Sequence, residues 1–183
     1  MINLDHQLFN LIYSLKGNYP FLDTVAFFCA KYLIFVMGII VIIWWLKLNW
    51  PKENFYHFFK DKQKWLILSH VSLSVLISFL ISQLIGLLYF RPRPFISNFQ
   101  VVNDINPLSE KSFPSDHTTI AFALAAAVYC SHKKLGIFLL ILAFLVGFGR
   151  IYTGVHYPLD VLGGILVGII SALLVYYLFR SKK

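Results

Sequence analysis

Charged side chains are scarce in this chain of 183 residues. Only 13% of the residues are charged and only eight are acidic, whereas 58% are hydrophobic. A soluble domain of this length has too little interior to bury so much apolar surface, so lipid must cover much of it. The composition therefore excludes a soluble globular protein and predicts an integral membrane protein with a single domain over residues 1–183.

Cysteine is scarce as well, and neither Cys29 nor Cys130 has the spacing of a metal site or of a disulfide framework. Both lie in apolar runs, where we expect small buried or lipid-facing side chains. Carboxylates, histidines and cysteines form no sequence cluster, so neither a metal nor another cofactor is predicted. The formal net charge of +8 is explained by lysines in cytoplasmic loops, and nucleic acid is not an expected partner.

Long apolar runs dominate the rest of the sequence, and a helix needs ~20 apolar residues to cross a bilayer. They predict an all-α polytopic transmembrane helical bundle whose five spans lie at about 22–46, 65–89, 118–131, 135–149 and 160–179. Residues 2–16 instead place apolar side chains at roughly helical spacing among polar ones. The segment 1–20 is therefore predicted to form an interfacial segment with an amphipathic helix lying on the membrane.

Small side chains recur every four residues in the second and the last span, at Ser74, Ser78, Ser82 and at Gly164, Gly168, Ala172. Each set shares one helix face, where a neighbouring helix can approach closely. The neighbour can belong to the same chain or to a second copy, so no oligomeric state is predicted.

Basic residues are distributed unevenly among the connecting segments. The loop at 47–64, the turn at 131–134 and the C-terminus hold ten of the sixteen Lys and Arg residues. The positive-inside rule therefore places these segments, including the C-terminus, in the cytoplasm. After five crossings, the loops at 91–117 and 150–160 both face outward, on the same side of the membrane.

Three short polar islands interrupt the apolar runs in or beside these two loops. They are Arg91-Pro92-Arg93-Pro94, Pro114-Ser115-Asp116-His117, and Gly149-Arg150 followed by His156 and Asp160. Ionisable groups at the ends of membrane helices are costly to keep there, so they indicate a functional site. Arginines, histidines, a serine and a carboxylate together suit the binding and cleavage of a phosphate ester.

The arginines and the second island supply candidate phosphate contacts. Arg93 and Arg150 are predicted to clamp one phosphate, because the guanidinium fork matches phosphate oxygens. Arg91 has two interpretations, a further phosphate contact or an anchor at the membrane interface. Ser115 is placed as the N-cap of the helix that follows, whose first N–H groups attract anions. His117, in the first turn of that helix, is a candidate general acid.

His156 and Asp160 are candidates for the reacting pair because they are four residues apart. At this spacing the carboxylate can accept a hydrogen bond from one imidazole nitrogen, which leaves the other nitrogen free as a nucleophile. The pair alone is weak evidence, since metal sites and salt links use the same spacing. The full set across three islands is the stronger signal.

Together the islands resemble the three-part signature of the type 2 phosphatidic acid phosphatase superfamily of membrane lipid phosphatases, K-x6-R-P, P-S-G-H and S-R-x5-H-x3-D. The resemblance covers roughly residues 65–175, and the matching residues are Arg93-Pro94, Pro114-Ser115 with His117, and Arg150 with His156 and Asp160. Three positions depart from the signature. Gly86 stands where the family has lysine, Asp116 where it has glycine, and Gly149 where it has serine.

The resemblance implies a two-step hydrolysis without metal. His156 would attack the terminal phosphorus to form a phosphohistidine, and Asp160 would hold it ready. His117 would protonate the leaving oxygen and then help to activate water. The transferred phosphoryl group would be held by Arg93, Arg150 and Ser115, with Arg91 and Asp116 as further candidates.

The tracts at 89–95 and 113–119 are most similar to bacterial undecaprenyl-diphosphatases linked to bacitracin resistance. This similarity implies hydrolysis of undecaprenyl diphosphate, a polyprenyl diphosphate lipid, to the monophosphate that carries cell-wall precursors. It also implies a place among the lipids of the bacterial cytoplasmic membrane, with the site facing outward. Bacitracin binds the same diphosphate, so the enzyme would compete with the antibiotic and raise resistance.

Two other functions remain open. The same chemistry can act on another lipid phosphate, such as phosphatidylglycerophosphate, phosphatidate or diacylglycerol pyrophosphate, because motifs that grip phosphate do not identify the lipid tail. Alternatively, the outward charges belong to a transporter or a binding protein for anionic lipid headgroups. The two histidines and Asp160 favour the enzyme, since simple binding does not require them.

Overall fold

The structure, a computed structural model, describes residues 2–49, 62–97, 101 and 110–180 and contains no strand within them. Its helices are α1 (Ile2–Tyr13), α2 (Pro20–Lys31), α3 (Leu33–Asn49), α4 (Lys62–Leu88), α5 (Pro94–Ser97), α6 (Asp116–Ser131), α7 (Lys133–Tyr152) and α8 (Pro158–Arg180). Large apolar side chains such as Leu84, Ile141 and Leu166 point outward and are more than half exposed. The predicted all-α membrane bundle is confirmed, since only lipid can cover such a surface.

Fewer helices qualify as candidate spans by length and composition than the sequence predicts. Helices α4, α7 and α8 are each long and apolar enough to cross a membrane, and the bent pair α2–α3 forms a fourth candidate. The predicted span at 118–131 is present as α6, but α6 has 16 residues, a length of about 24 Å. By length and composition, three or four of the described helices are thus candidate spans, against the five that the sequence predicts.

Helix α6 lies at the centre of the bundle and is covered by protein. Ten of the residues from Thr118 to Val128 are buried, and five of these ten are alanines. Its neighbour α8 approaches through a glycine, since a Cβ added at Gly168 would lie 2.5 Å from the carbonyl oxygen of Thr119. On α4, the three serines at intervals of four are fully buried, at Ser74, Ser78 and Ser82. The predicted small-residue faces therefore pack within this chain.

The span predicted at 22–46 is present as a bent pair of helices, because the helix breaks at Tyr32 and its two halves are bent by 58°. Helix α2 packs tightly on the end of α7, where a Cβ at Gly149 would lie 2.8 Å from the carbonyl oxygen of Ala26. The last carbonyls of a helix need partners from outside it. Arg150 Nη1 supplies one by donating to the carbonyl oxygen of Ala30 at 3.2 Å. Contacts with α7 therefore stabilise the end of α2 at the break.

The N-terminal amphipathic helix exists as α1, but a polar residue lies on the face that docks. Leu4, Leu8 and Leu11 are exposed, whereas Asp5 and Phe9 are almost fully buried. The Phe9 ring makes an edge contact with Tyr157, with 5.2 Å between the centroids. Helix α1 is thus attached to the bundle through its Asp5 face, and the location of residues 1–20 at the membrane interface stays a prediction.

Several predicted features lie outside the described residues. These are most of the lysine-rich loop at 47–64, the parts of the loop at 91–117 that comprise 98–100 and 102–109, and Lys182 and Lys183 at the C-terminus. Because the charge count depends on them, the orientation in the membrane stays a prediction.

Candidate active site

The three polar islands meet at one end of the bundle. There α4 ends at Leu88, α6 begins at Asp116, α7 ends at Tyr152 and α8 begins at Pro158. The starts of α6 and α8 are joined by a hydrogen bond from the backbone N–H of Ser115 to the carbonyl oxygen of Asp160, at 3.0 Å. The predicted site residues that are nearly fully buried are Arg93, Ser115, Arg150, His156 and Asp160.

One nitrogen of His156, Nδ1, points towards the carboxylate of Asp160, and a serine hydroxyl lies between them. The distance from His156 Nδ1 to Asp160 Oδ2 is 3.8 Å, which is too long for a hydrogen bond. Ser112 Oγ lies between them, donating to Asp160 Oδ2 and lying 3.4 Å from His156 Nδ1. Because the one hydroxyl proton goes to the carboxylate, the serine can accept from Nδ1–H. This arrangement favours the tautomer with an unprotonated Nε2.

The other nitrogen of His156, Nε2, faces two guanidinium groups. Arg93 Nη1 lies 3.2 Å from it and Arg150 Nη2 lies 3.5 Å from it. Burial lowers the pKa of His156 to about 4, with the charges of Arg150 and Arg93 acting in the same direction against the carboxylate of Asp160. Burial also lowers the pKa of Arg93 to about 10, so this guanidinium stays charged at neutral pH. A neutral imidazole beside two cations is suited to attack an anionic phosphorus group.

Arg150 has a buried donor that no described residue satisfies. Its side chain is only 2% exposed, and its Nε has no hydrogen-bond partner among the described residues. Buried polar atoms are usually paired, so an unpaired charged donor at a site indicates an acceptor that arrives with a ligand. Phosphate oxygens match this need.

The start of α6 contributes backbone donors and the second histidine. Ser115 is the N-cap of α6, as predicted, but its side chain makes no capping hydrogen bond. Its Oγ accepts instead from Thr118 Oγ1 at 3.1 Å. His117 is half-buried in the first turn and lies within electrostatic range of Arg150 and His156. The sequence-predicted general acid is therefore brought to the same cluster as the predicted nucleophile.

Arg91 lies in a different network from the two arginines that face His156. Its guanidinium is bound by Asp5 and by Asp160 Oδ1, the latter at 2.7 Å, and lies over the ring of Tyr157 at 4.2 Å. Asp5 Oδ1 also accepts from the backbone N–H of Leu159 at 2.8 Å, in the first turn of α8. Arg91 thus connects α1 to the carboxylate beside His156, and neither sequence interpretation anticipated this contact.

Asp116 is surrounded by donors on the α4 side of the site. Its Oδ1 accepts from Lys111 Nζ at 3.0 Å, from Gln83 Nε2 at 3.2 Å and from Ser82 Oγ. An ionised carboxylate only accepts hydrogen bonds, so Asp116 can serve a phosphate group by positioning a cation. Across the described ranges, no three His, Cys, Asp or Glu side chains are grouped as a metal site requires.

Three residues of this cluster were not singled out by the sequence, namely Asp5, Lys111 and Ser112. Each reaches the site across many residues of chain, since Asp5 contacts Arg91 and Ser112 contacts Asp160. A serine or lysine in a loop has no local pattern that indicates function. Asp5 is the one acidic residue of the amphipathic helix, and that was the one available signal for it.

Comparison with known proteins gives a consistent match to this arrangement. Residues 67–183 match the PAP2 superfamily. The chain is 33% identical over 174 residues to the undecaprenyl-diphosphatase BcrC of Bacillus subtilis, covering 94% of this chain and 83% of the relative. It is 34% identical over 172 residues to the putative undecaprenyl-diphosphatase YbjG of Escherichia coli strain K12, covering 93% and 80%. These matches confirm the resemblance carried by the three motifs.

The fold is also similar to that of a solved structure, a transmembrane PAP2 type phosphatidylglycerolphosphate phosphatase from Bacillus subtilis. The TM-score is 0.66 at 23% identity, and the match covers 99% of this chain and 87% of that one. At this identity the likeness concerns the fold alone, and it supports the helical membrane architecture described above.

Proposed function

The chain belongs to the PAP2 superfamily and is a membrane lipid phosphatase, and we propose that it hydrolyses undecaprenyl diphosphate to undecaprenyl phosphate and inorganic phosphate. The reaction proceeds through a phosphohistidine at His156. The site faces outward from the bacterial cytoplasmic membrane, where it removes the diphosphate that bacitracin binds and so confers resistance.

The observation that carries this proposal is the environment of His156 Nε2. This nitrogen lies between the guanidinium groups of Arg93 and Arg150, while Nδ1 is held by Ser112 and faces Asp160. A binding protein needs the cations, but it does not need an oriented, unprotonated imidazole among them.

In the first step, the Nε2 lone pair attacks the terminal phosphorus and the bond to the bridging oxygen breaks. His117 gives a proton to that oxygen as undecaprenyl phosphate leaves. The imidazole of His156 becomes positively charged as the P–N bond forms, and the carboxylate of Asp160, linked through Ser112, stabilises that charge. Asp160 in turn is held by Arg91.

In the second step, water attacks the phosphohistidine and His117 accepts its proton. The P–N bond breaks, inorganic phosphate leaves and His156 returns to its neutral form. The non-bridging oxygens are bound by Arg93, by Arg150, whose buried Nε has no partner in the described part of the chain, and by the N–H groups at the start of α6 beside Ser115. Fixed donors of this kind stabilise the transition state most, because they need no reorganisation.

The choice of undecaprenyl diphosphate is supported by the printed names of the relatives from Bacillus subtilis and Escherichia coli. The second candidate is the same chemistry on another lipid phosphate, such as phosphatidylglycerophosphate, phosphatidate or diacylglycerol pyrophosphate. The sites that bind phosphate do not distinguish these tails.

The test is phosphate release from purified lipids in detergent, with undecaprenyl diphosphate, phosphatidylglycerophosphate, phosphatidate and diacylglycerol pyrophosphate compared at equal surface concentration. We expect the highest kcat/KM for undecaprenyl diphosphate, undiminished by excess EDTA. Preference for a glycerophospholipid would overturn the substrate, and strict metal dependence would overturn the mechanism.

His156→Ala should abolish turnover on every lipid. The matched control is His132→Asn, because His132 lies in the turn between α6 and α7 and its Nδ1 accepts from the N–H of Leu135, a cap that asparagine also makes. The control should retain full activity. Turnover by a folded His156→Ala protein would exclude this nucleophile.

A further inference from the structure

Two of the three departures from the family signature contact one side chain, that of Lys111. Gly86 replaces the lysine of the first motif, and a Cβ added there would lie 2.5 Å from Lys111 Cδ and 3.1 Å from Lys111 Nζ. No ordinary side chain fits at this position unless Lys111 moves. The glycine therefore leaves the space through which the lysine stem passes.

The second departure holds the end of that stem. Asp116 replaces the glycine of the second motif, and its Oδ1 accepts from Lys111 Nζ at 3.0 Å. The carbonyl oxygen of Ser82, one helical turn before Gly86, accepts from the same ammonium at 3.1 Å. One substitution thus removes a cation from α4 and clears space, while the other adds a carboxylate that binds a cation arriving from the loop.

The backbone around Lys111 is fixed against the arginine segment. Lys111 and Pro92 form an antiparallel bridge, and the N–H of Ser112 donates to the carbonyl oxygen of Arg91 at 2.7 Å. The next side chain, Ser112, contacts both His156 and Asp160. Lys111 is therefore next in sequence to the serine that contacts the reacting pair, on a segment whose backbone is hydrogen-bonded to the first motif.

Charge within the cluster also suits a third cation. Asp116 lies within electrostatic range of both Arg93 and Arg150, so the ammonium that it binds belongs to the same group of charges. The side chain of Lys111 is only 10% exposed, and a partly buried ammonium is retained most readily where it meets anions. A lipid diphosphate brings more negative charge than two guanidinium groups neutralise.

We propose that Lys111 is a phosphate-binding residue of this site, and that Asp116 is the residue that positions its ammonium. This inference rests on the proposed phosphatase function and assigns to a loop lysine the place that a helix lysine holds in the family signature. The substrate class is unchanged, since the ligand is a phosphate group of the lipid.

The first experiment exchanges the position of the lysine. Lys111→Ala should lower kcat/KM about 100-fold, the usual effect of removing one charged donor from a phosphoryl-transfer site. Gly86→Lys combined with Lys111→Ala should recover at least about tenfold of that loss, because the new stem enters the vacated space. Gly86→Ala alone should also lower kcat/KM, since its methyl group displaces Lys111.

Matched controls are available for both kinds of change. Lys31→Ala removes an exposed lysine at the end of α2. Gly38→Ala adds a methyl group that, among the described residues, meets no heavy atom within 4 Å apart from its own stretch of helix backbone. Both controls should retain wild-type kinetics. If the exchange variant is no more active than Lys111→Ala, the proposal is overturned.

A purely structural role makes a different prediction. If Lys111 only neutralises Asp116, then Lys111→Ala combined with Asp116→Asn should restore the wild-type rate. Phosphate binding predicts that this pair stays as inactive as Lys111→Ala, and restoration would refute it.

A binding measurement separates this proposal from the proposed function. Inorganic phosphate should raise the Tm of the wild-type protein in detergent, and Lys111→Ala should lose most of that rise while Lys31→Ala keeps it. An undiminished rise in Lys111→Ala would exclude Lys111 as a phosphate ligand. If the wild type binds phosphate through Lys111 but does not cleave undecaprenyl diphosphate, only the substrate assignment fails.

Discussion

Replacement of Asp5 should impair catalysis although Asp5 lies on the N-terminal helix, far from the motifs in sequence. One carboxylate oxygen accepts from the N–H of Leu159 and the other binds Arg91. Arg91 in turn binds Asp160, the carboxylate beside His156. Without Asp5, the guanidinium loses one of two carboxylate partners and the first turn of α8 loses an acceptor, so Asp160 is held less firmly.

The expected loss of stability follows from the burial of the ion pair between Asp5 and Arg91. Removing one partner of a buried ion pair costs about 3–5 kcal/mol. The Asp5 side chain is 1% exposed, but that of Arg91 is 14% exposed, so water can reach the remaining charge and the lower end applies. We expect Asp5→Ala to cost about 3 kcal/mol in stability and to lower kcat about tenfold, equivalent to about 1.4 kcal/mol in the barrier.

Asp5→Asn separates the two contacts of this side chain. The amide oxygen still accepts from Leu159, while the charge facing Arg91 is lost, so stability should fall less than in Asp5→Ala and kcat should still drop. Unfolding in detergent followed by intrinsic fluorescence measures the first quantity, and initial rates at saturating lipid measure the second. Asn10→Ala, an exposed position on the same helix, is the control. An unchanged kcat in a destabilised Asp5 variant would refute the coupling between α1 and His156.

Three further predictions concern the rest of the site. Ser112→Ala should lower kcat about tenfold with little change in KM, because it removes the link between His156 and Asp160 without touching the phosphate, and equal effects on both constants would contradict this role. Gly149→Ala should destabilise the protein by about 1–3 kcal/mol, measured as a lower Tm than that of Gly38→Ala, because its Cβ would meet the backbone of Ala26 and Ala30. Burial lowers the pKa of His156 to about 4, so this imidazole should stay neutral in the free enzyme as the pH falls through the ordinary histidine pKa of about 6.5. 15N NMR of labelled histidine at pH 5.5 measures its protonation state. A His156 that is half-protonated near pH 6.5 would disprove the prediction.

The convergence of the motifs could be predicted because it depends on local features. Long apolar runs define the helices, and the polar islands at their ends come together once α4, α6, α7 and α8 alternate in direction. The pairing of His156 with Asp160 also follows from spacing along one segment. These features need only the period of a helix and the cost of charge beside lipid.

The contacts that depend on the packed bundle could not be predicted in this way. Residues 22–46 form a mainly apolar run in which only Asp23 and Lys31 are charged, so the sequence does not indicate the break at Tyr32. In the structure, Arg150 binds a carbonyl oxygen at the end of α2. The amphipathic pattern of α1 indicates a buried face, but it does not show that Asp5 meets Arg91. Similarly, the sequence shows only that position 86 lacks the lysine of the motif. In the structure, the side chain of Lys111 occupies the space beside Gly86.

The central claim is that His156 forms a covalent bond to phosphorus, and trapping that intermediate tests it most directly. Undecaprenyl diphosphate labelled with 32P in its terminal phosphate is mixed with the enzyme and quenched in alkali, which preserves phosphohistidine. We predict label on the peptide that contains His156 in the wild type and in Ser112→Ala, and none in His156→Ala. Label on another residue, or rapid phosphate release with no labelled protein at any quench time, would contradict the account.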